Sequence, residues 1–134
     1  MKTGKHVEIL LSASGADLIS TNLAIYEACN GLWKLATLLK TITLEDAADV
    51  AAILHELTAR NLIKTLSFAN IDLSQTLGIA QEAKITFYDA SYIEAAKNIS
   101  ATLVTEDKKL RKAAINSVKT ISFLQLQGKL AKNP

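Results

Sequence analysis

The chain has 134 residues, 49% hydrophobic and 21% charged, which fits one globular domain of ordinary size with a full apolar core. A single cysteine, Cys29, excludes an intramolecular disulfide and favours a reducing compartment. No apolar run reaches about 18 residues and no leader pattern opens the chain, so the sequence reads as soluble, intracellular and cytoplasmic, with no membrane contact.

Net charge is +2, from 15 basic and 13 acidic residues, too weak a bias to indicate nucleic acid by itself. Its distribution says more: the basic residues of KKLRKAAINSVK (108–119) crowd one C-terminal segment beside Asp107, where they form either a phosphate-attracting patch or solvated surface.

In chain order, GKHVEILLSASGA reads as a short helix ending near Gly15, and DLIST (17–21) as a compact strand. Asn22 is a natural N-cap for a helix from Leu23 to about Leu39, with Ile25, Cys29, Leu32, Trp33, Ala36 and Leu39 at helical spacing. Glu27, Asn30, Gly31 and Lys34 occupy the opposite face. TITLEDAADVAAILHEL has Thr43 and Asp46 at capping-box spacing and predicts a helix to about Leu57.

A strand falls within NLIKTLSF (61–68), and DLSQTLGIAQEAK predicts a helix starting near Asp72 or Ser74. A further helix runs from Asp89 to about Asn98, with Ile93 and Ala96 facing inward and Tyr92 beside them. ATLVT (101–105) is the clearest strand, followed by a helix through Ala114, a last strand in VKTISF (118–123) and a flexible tail from about 128. This alternation predicts one α/β domain over 1–134, with a mostly parallel sheet covered by helices. Sites in such sheets form beyond the carboxyl ends of the strands, where Glu27, Asp107 and the basic segment fall.

Mg²⁺ or Mn²⁺ takes oxygen ligands and needs several carboxylates close together. Asp89 and Asp107 also admit a capping reading, as first-turn acids favourable to a helix dipole. Glu27 lies a full turn inside its helix, so capping does not explain it, although a solvent-facing role would. His6 and His55 lack partners at zinc-like spacing and read as surface residues. Cys29 reads as a buried thiol, and Trp33 as core or subunit contact. Gly15, Gly31 and Gly78 are isolated, so no phosphate loop is encoded.

LISTNLAIYEACNGLWK and TFYDASYIEAAKNISATLVTEDKKLRKAA together resemble the PIN-domain family of metal-dependent ribonucleases, most of all its archaeal and bacterial toxin branch of VapC type. The similarity covers about residues 6–123. It implies a three-layer α/β/α fold and four acids gathered round one or two Mg²⁺ or Mn²⁺ ions. Carried onto this chain, three of those acids are Glu27, Asp89 and Asp107, with Thr105 the supporting hydroxyl and Glu106 a bystander; Asn30, one turn from Glu27, reads either as orienting a ligand or substrate phosphate or as ordinary polar surface. Lys108, Lys109, Arg111 and Lys112 are the expected contacts to RNA. The resemblance further implies a homodimer and a small antitoxin that blocks the site.

One departure stands out. Family members open with a strand ending in an aspartate, set inside the sheet between two neighbours, and this chain begins in the middle of the helix that follows. The first strand and its aspartate are therefore expected to be missing, with another segment, a second chain or a rearranged sheet in that slot. Two functional readings follow: a metal-dependent endoribonuclease of toxin–antitoxin type, or an inactive or truncated PIN-like protein that dimerises or binds a partner. A third is an α/β domain whose acids are only caps.

Overall fold

A computed structural model of the chain describes residues 8–12 and 17–132. Within them five strands, β1 (Ile9–Leu11), β2 (Leu18–Thr21), β3 (Ile63–Leu66), β4 (Thr102–Val104) and β5 (Thr120–Ile121), form one sheet in the order β3-β2-β1-β4-β5. β2 pairs parallel with β3, and β4 with β5, while β1 runs antiparallel to both β2 and β4. Four strands thus share one direction and the central one opposes them. Six helices among the described residues accompany the sheet: α1 (Asn22–Trp33), α2 (Leu44–Ala59), α3 (Leu73–Ala83), α4 (Phe87–Asn98), α5 (Lys108–Ala114) and α6 (Phe123–Lys132). α1 continues into a π-helical turn over Lys34–Leu38.

The sheet has an apolar cluster on each face because side chains alternate along a strand. Leu10 and Leu103 pack with Ala24 of α1, Ala90, Ile93 and Ala96 of α4, and Leu110 and Ala114 of α5. Leu11, Val104 and Ile121 pack instead with Leu126 of α6, backed by Ile9, Leu18 and Phe123. Helices on both faces make the expected three-layer α/β/α arrangement.

Three local expectations need correction. The segment read as an N-terminal helix contains β1, while Gly15, near which that helix was expected to end, lies outside the described residues, as does His6. The slot of the strand expected to be missing is filled by β1, another segment of this chain, so β2 and β4 keep backbone partners on both sides instead of burying unpaired groups. It enters from the opposite direction: Ser12 N–H donates to Asp17 O at 3.0 Å and Asp17 N–H to Ser12 Oγ at 3.1 Å, which returns the chain into β2. Finally, the segment expected as a tail from about 128 is the second half of α6, helical through Lys132.

The caps explain where most helices begin. Thr43 Oγ1 accepts from Asp46 N–H at 3.0 Å and starts α2, at the spacing read from the sequence. α1 starts one residue earlier than expected, with Thr21 rather than Asn22 as cap, its Oγ1 accepting from Ala24 N–H at 3.1 Å. Asp72 caps α3 through Gln75 N–H at 3.0 Å, as expected. Lys84 ends α3 in the left-handed region at φ 57°, closing the helix with Ile85 N–H on Ala80 O at 3.1 Å.

Candidate functional site

Two buried threonines mark the ends of two strands, Thr21 as the last residue of β2 and Thr105 just after β4; they are 2% and 0% exposed. Each delivers the chain into a helix carrying an acid. From Thr21, α1 carries Glu27 six residues on. α4 starts at a Thr86 cap whose Oγ1 accepts from Asp89 N–H at 3.1 Å, so Asp89 is a first-turn acid rather than the cap. One turn further along α4, Tyr92 is 1% exposed, and its hydroxyl donates to Glu27 Oε1. This contact ties α1 to α4 across the mouth of the sheet.

Burial is the main cause that pushes the Tyr92 phenol well above the ordinary tyrosine range. The hydrogen bond to Glu27 adds to it, then the negative charges of Glu27, Glu8 and Asp89. Three carboxylates therefore act on one hydroxyl. Sequence reasoning does not single out Glu8. It is 5% exposed, and the register of β1 continued by one residue sets it level with Thr21 on β2 and Thr105 on β4. A reversed central strand begins where a forward one would end, so its leading acid lies at the carboxyl ends of its neighbours. No local sequence signal marks this, because it depends on strand direction.

Asp107 is positioned by Thr105. Thr105 N–H donates to Ile121 O at 3.0 Å, and its Oγ1 accepts from Asp107 N–H at 3.0 Å. Its carbonyl accepts from Arg111 Nη2 at 2.9 Å. Asp107 Oδ1 in turn accepts from Lys109 N–H at 2.9 Å and Leu110 N–H at 3.2 Å, capping α5. The capping reading of Asp107 is thus realised on one of its two oxygens. Arg111 is half-buried and braces the Thr105 carbonyl, whereas Lys108, Lys109 and Lys112 are exposed. Glu106 accepts from Phe123 N–H at 3.0 Å and so serves the start of α6. Asn30 shares with Glu27 a cleft of about 300 Å³ walled by Tyr26 and Tyr88, both exposed.

The oxygen-rich donors suit a hard divalent cation in kind. Their placement does not, because Glu27 is engaged by Tyr92 and Asp107 by the first turn of α5. Among the described residues no three His, Cys, Asp or Glu side chains stand close enough to hold one ion. The acids share one edge of the sheet without forming a cage. No helix among the described residues is long and apolar enough to cross a membrane.

Residues 2–116 match the PIN domain family. Two relatives come from Pyrobaculum aerophilum. Exonuclease VapC9 is 39% identical over 93 residues, covering 66% of this chain and 61% of the relative. Ribonuclease VapC3 is 34% identical over 95 residues, covering 70% of this chain and 69% of the relative. The chain therefore spans 61% of the length of the first of them. Among solved structures, that of PAE2754 from the same organism superposes with a TM-score of 0.65 at 30% identity, covering 84% of this chain and 76% of that one.

Proposed function

The chain belongs to the PIN-domain family, and on that premise we propose that it is a ribonuclease of VapC type, hydrolysing RNA phosphodiester bonds in the cytoplasm as the toxin of a toxin–antitoxin pair. The observation that carries this reading is the placing of acids at the carboxyl ends of the parallel strands: Glu27 bonded to Tyr92, Asp89 one turn before Tyr92 on α4, Glu8 level with Thr21 and Thr105, and Asp107 following β4. Carboxylates kept near one another repel, and Glu8 is buried besides, so a fold that keeps them at one edge retains them for chemistry more readily than for stability.

Glu27, Asp89 and Asp107 would hold Mg²⁺ or Mn²⁺ only with their side chains drawn closer together than they stand here, with Glu8 at the position where the resemblance implies an aspartate on the first strand. Such an ion would supply an activated water and offset charge on the phosphodiester. The chain's own residues do the positioning: Tyr92 orients Glu27, and Thr105 and Arg111 fix the backbone beneath Asp107. Lys108, Lys109 and Lys112 supply phosphate contacts that hold RNA without reading its sequence.

The relatives' names divide between exonuclease and ribonuclease, and we propose internal cleavage. Labelled linear and circular RNA incubated with Mn²⁺ or Mg²⁺ tests both points, comparing the parent with Asp89→Asn. Metal-dependent cleavage of both RNAs that disappears in the variant is the expected result. Cleavage of linear RNA alone would make the enzyme an exonuclease. No cleavage by the parent, or equal cleavage by both proteins, would sink the nuclease reading.

A second reading is favoured by a different observation. Trp33, Leu38, Leu39, Leu44, Val50 and Ile53 are exposed along α1, its π-helical extension and α2. An apolar surface of this kind marks a protein contact. In an inactive protein it would serve a homodimer or a small antitoxin alone, and in an active one it would serve them beside the nuclease. Mass by light scattering, with and without Leu39→Glu, separates a dimeric face from a monomer.

A further inference from the structure

A cleft of about 690 Å³ lies between α3 and α5, and none of Glu27, Asp89 and Asp107 lines it. Four lysines from three parts of the chain line it: Lys84 at the end of α3, Lys97 in the last turn of α4, and Lys109 and Lys112 on α5. Glu82 is the one acid among the described residues of its wall. All four lysines are exposed, and among the described residues none of them is held in an ion pair. Small and apolar residues, Gly78, Ile79, Ile85 and Ala113, share the lining with Gln75 and Ser117.

We propose that this cleft is a track for the RNA backbone, carrying the strand away from the carboxylates; its ligand class rests on the nuclease reading above. Continuity supports it. Asp107 and the two α5 lysines belong to one helix, Lys109 N–H donating to the Asp107 carboxylate. At a rise of about 1.5 Å per residue, Lys112 lies about 7 Å along the axis from Asp107. Lys109 and Lys112 stand three residues apart and so share a face, which turns toward Lys84 and Lys97 across the cleft.

Lining chemistry identifies the ligand. Four ammonium groups facing one carboxylate repel one another, and a polyanion relieves that repulsion. No arginine and no aromatic side chain among the described residues lines the cleft. It therefore lacks both the bidentate fork that fixes a single phosphate and the ring faces that stack bases. Flexible point charges suit successive phosphates held in variable poses. Contacts of this kind add affinity without reading sequence.

The test is the salt dependence of binding to a short labelled single-stranded RNA, measured in chelator so that no metal-dependent cleavage intervenes. Each phosphate neutralised contributes about −0.7 to the slope of log K against log salt for single strands. Losing Lys84 and Lys97 together in Lys84→Gln/Lys97→Gln should flatten that slope by about 1.4. For a strand touching only these four lysines, affinity would fall about 50-fold between about 50 and 200 mM salt in the parent and about 7-fold in the variant. Lys119→Gln, one exposed charge outside the cleft, should leave the slope near the parental value.

An unchanged slope in the double variant, an equal flattening in Lys119→Gln, or no RNA binding by the parent would overturn the track. The nuclease reading stands or falls separately, on the cleavage assay. Cleavage with a lysine-independent slope would leave the nuclease standing and remove the track. A lysine-dependent slope without cleavage would do the reverse.

Discussion

Tyr92→Phe removes one oxygen from the middle of the site and leaves the packing in place. The ring belongs to the cluster of Leu10, Ala24, Ile93 and Leu103 and is 1% exposed, so the phenyl group fills the same space and opens no cavity. What is lost is a part-buried hydrogen bond to the Glu27 carboxylate. Hydrogen bonds to charged groups contribute about 1.5–3 kcal/mol each. Unfolding entropy of about 2.1 cal/mol/K per residue over 134 residues converts each kcal/mol into about 3.5 °C, so Tm at neutral pH should fall by about 5–11 °C.

The same hydroxyl predicts a pH signature. Burial, then Glu27 and the neighbouring negative charges, hold the Tyr92 proton well above the ordinary tyrosine range. The unfolded chain releases that proton near pH 10, as an ordinary tyrosine does. The group's contribution is therefore complete below about pH 10, and declines by about 1.4 kcal/mol per pH unit above it until the folded group ionises as well. Tyr92→Phe lacks this component. Thermal unfolding followed by circular dichroism from about pH 7 to 11 should show the parent losing its advantage over the variant as pH rises past about 10. A variant within about 2 °C of the parent at pH 7, with the same alkaline slope, would refute the assignment of Tyr92 as the link between α1 and α4.

The two roles of Asp107 separate by substitution. Asp107→Asn keeps an oxygen for the α5 cap and should leave stability within about 0.5 kcal/mol, whereas Asp107→Ala should cost about 1 kcal/mol in denaturant titration. Both should abolish RNA cleavage, and activity in Asp107→Asn would reduce this residue to a cap. Leu126→Ala, 6% exposed in α6, should lose about 2–5 kcal/mol. A loss under about 0.5 kcal/mol would mean that α6 does not cover the second face of the sheet.

Much of the helical layer is legible from local signals. The Thr43–Asp46 spacing, the Asp72 start and the apolar period of α1 each act within a few turns, and each appears at or near its predicted place. ATLVT reads as a strand because its β-branched and apolar residues stand between polar flanks, and β4 follows. The acids Glu27, Asp89 and Asp107 fall on the elements expected of them, since their places depend on where those elements begin. α6 escapes a local reading because QGKLAKNP is polar alone; its amphipathic pattern begins earlier, at Phe123, and requires the sheet face against which Leu126 packs.

The centre of the molecule was decided by tertiary structure. β1 is a three-residue strand, ILL, too short to show a period of two, and its surroundings carry a helical rhythm. It becomes a strand because β2 and β4 leave a slot of backbone donors and acceptors between them that must be filled. Its direction decides which end of the sheet receives Glu8, and register decides that Glu8 meets Thr21 and Thr105. The Tyr92–Glu27 bond spans 65 residues of sequence, and the lysine cleft draws on α3, α4 and α5 together. Periodicity and capping chemistry determine elements because they act over neighbouring residues. Strand direction, register and the meeting of side chains from separate helices depend on pairing and burial between distant segments, which only the assembled fold supplies.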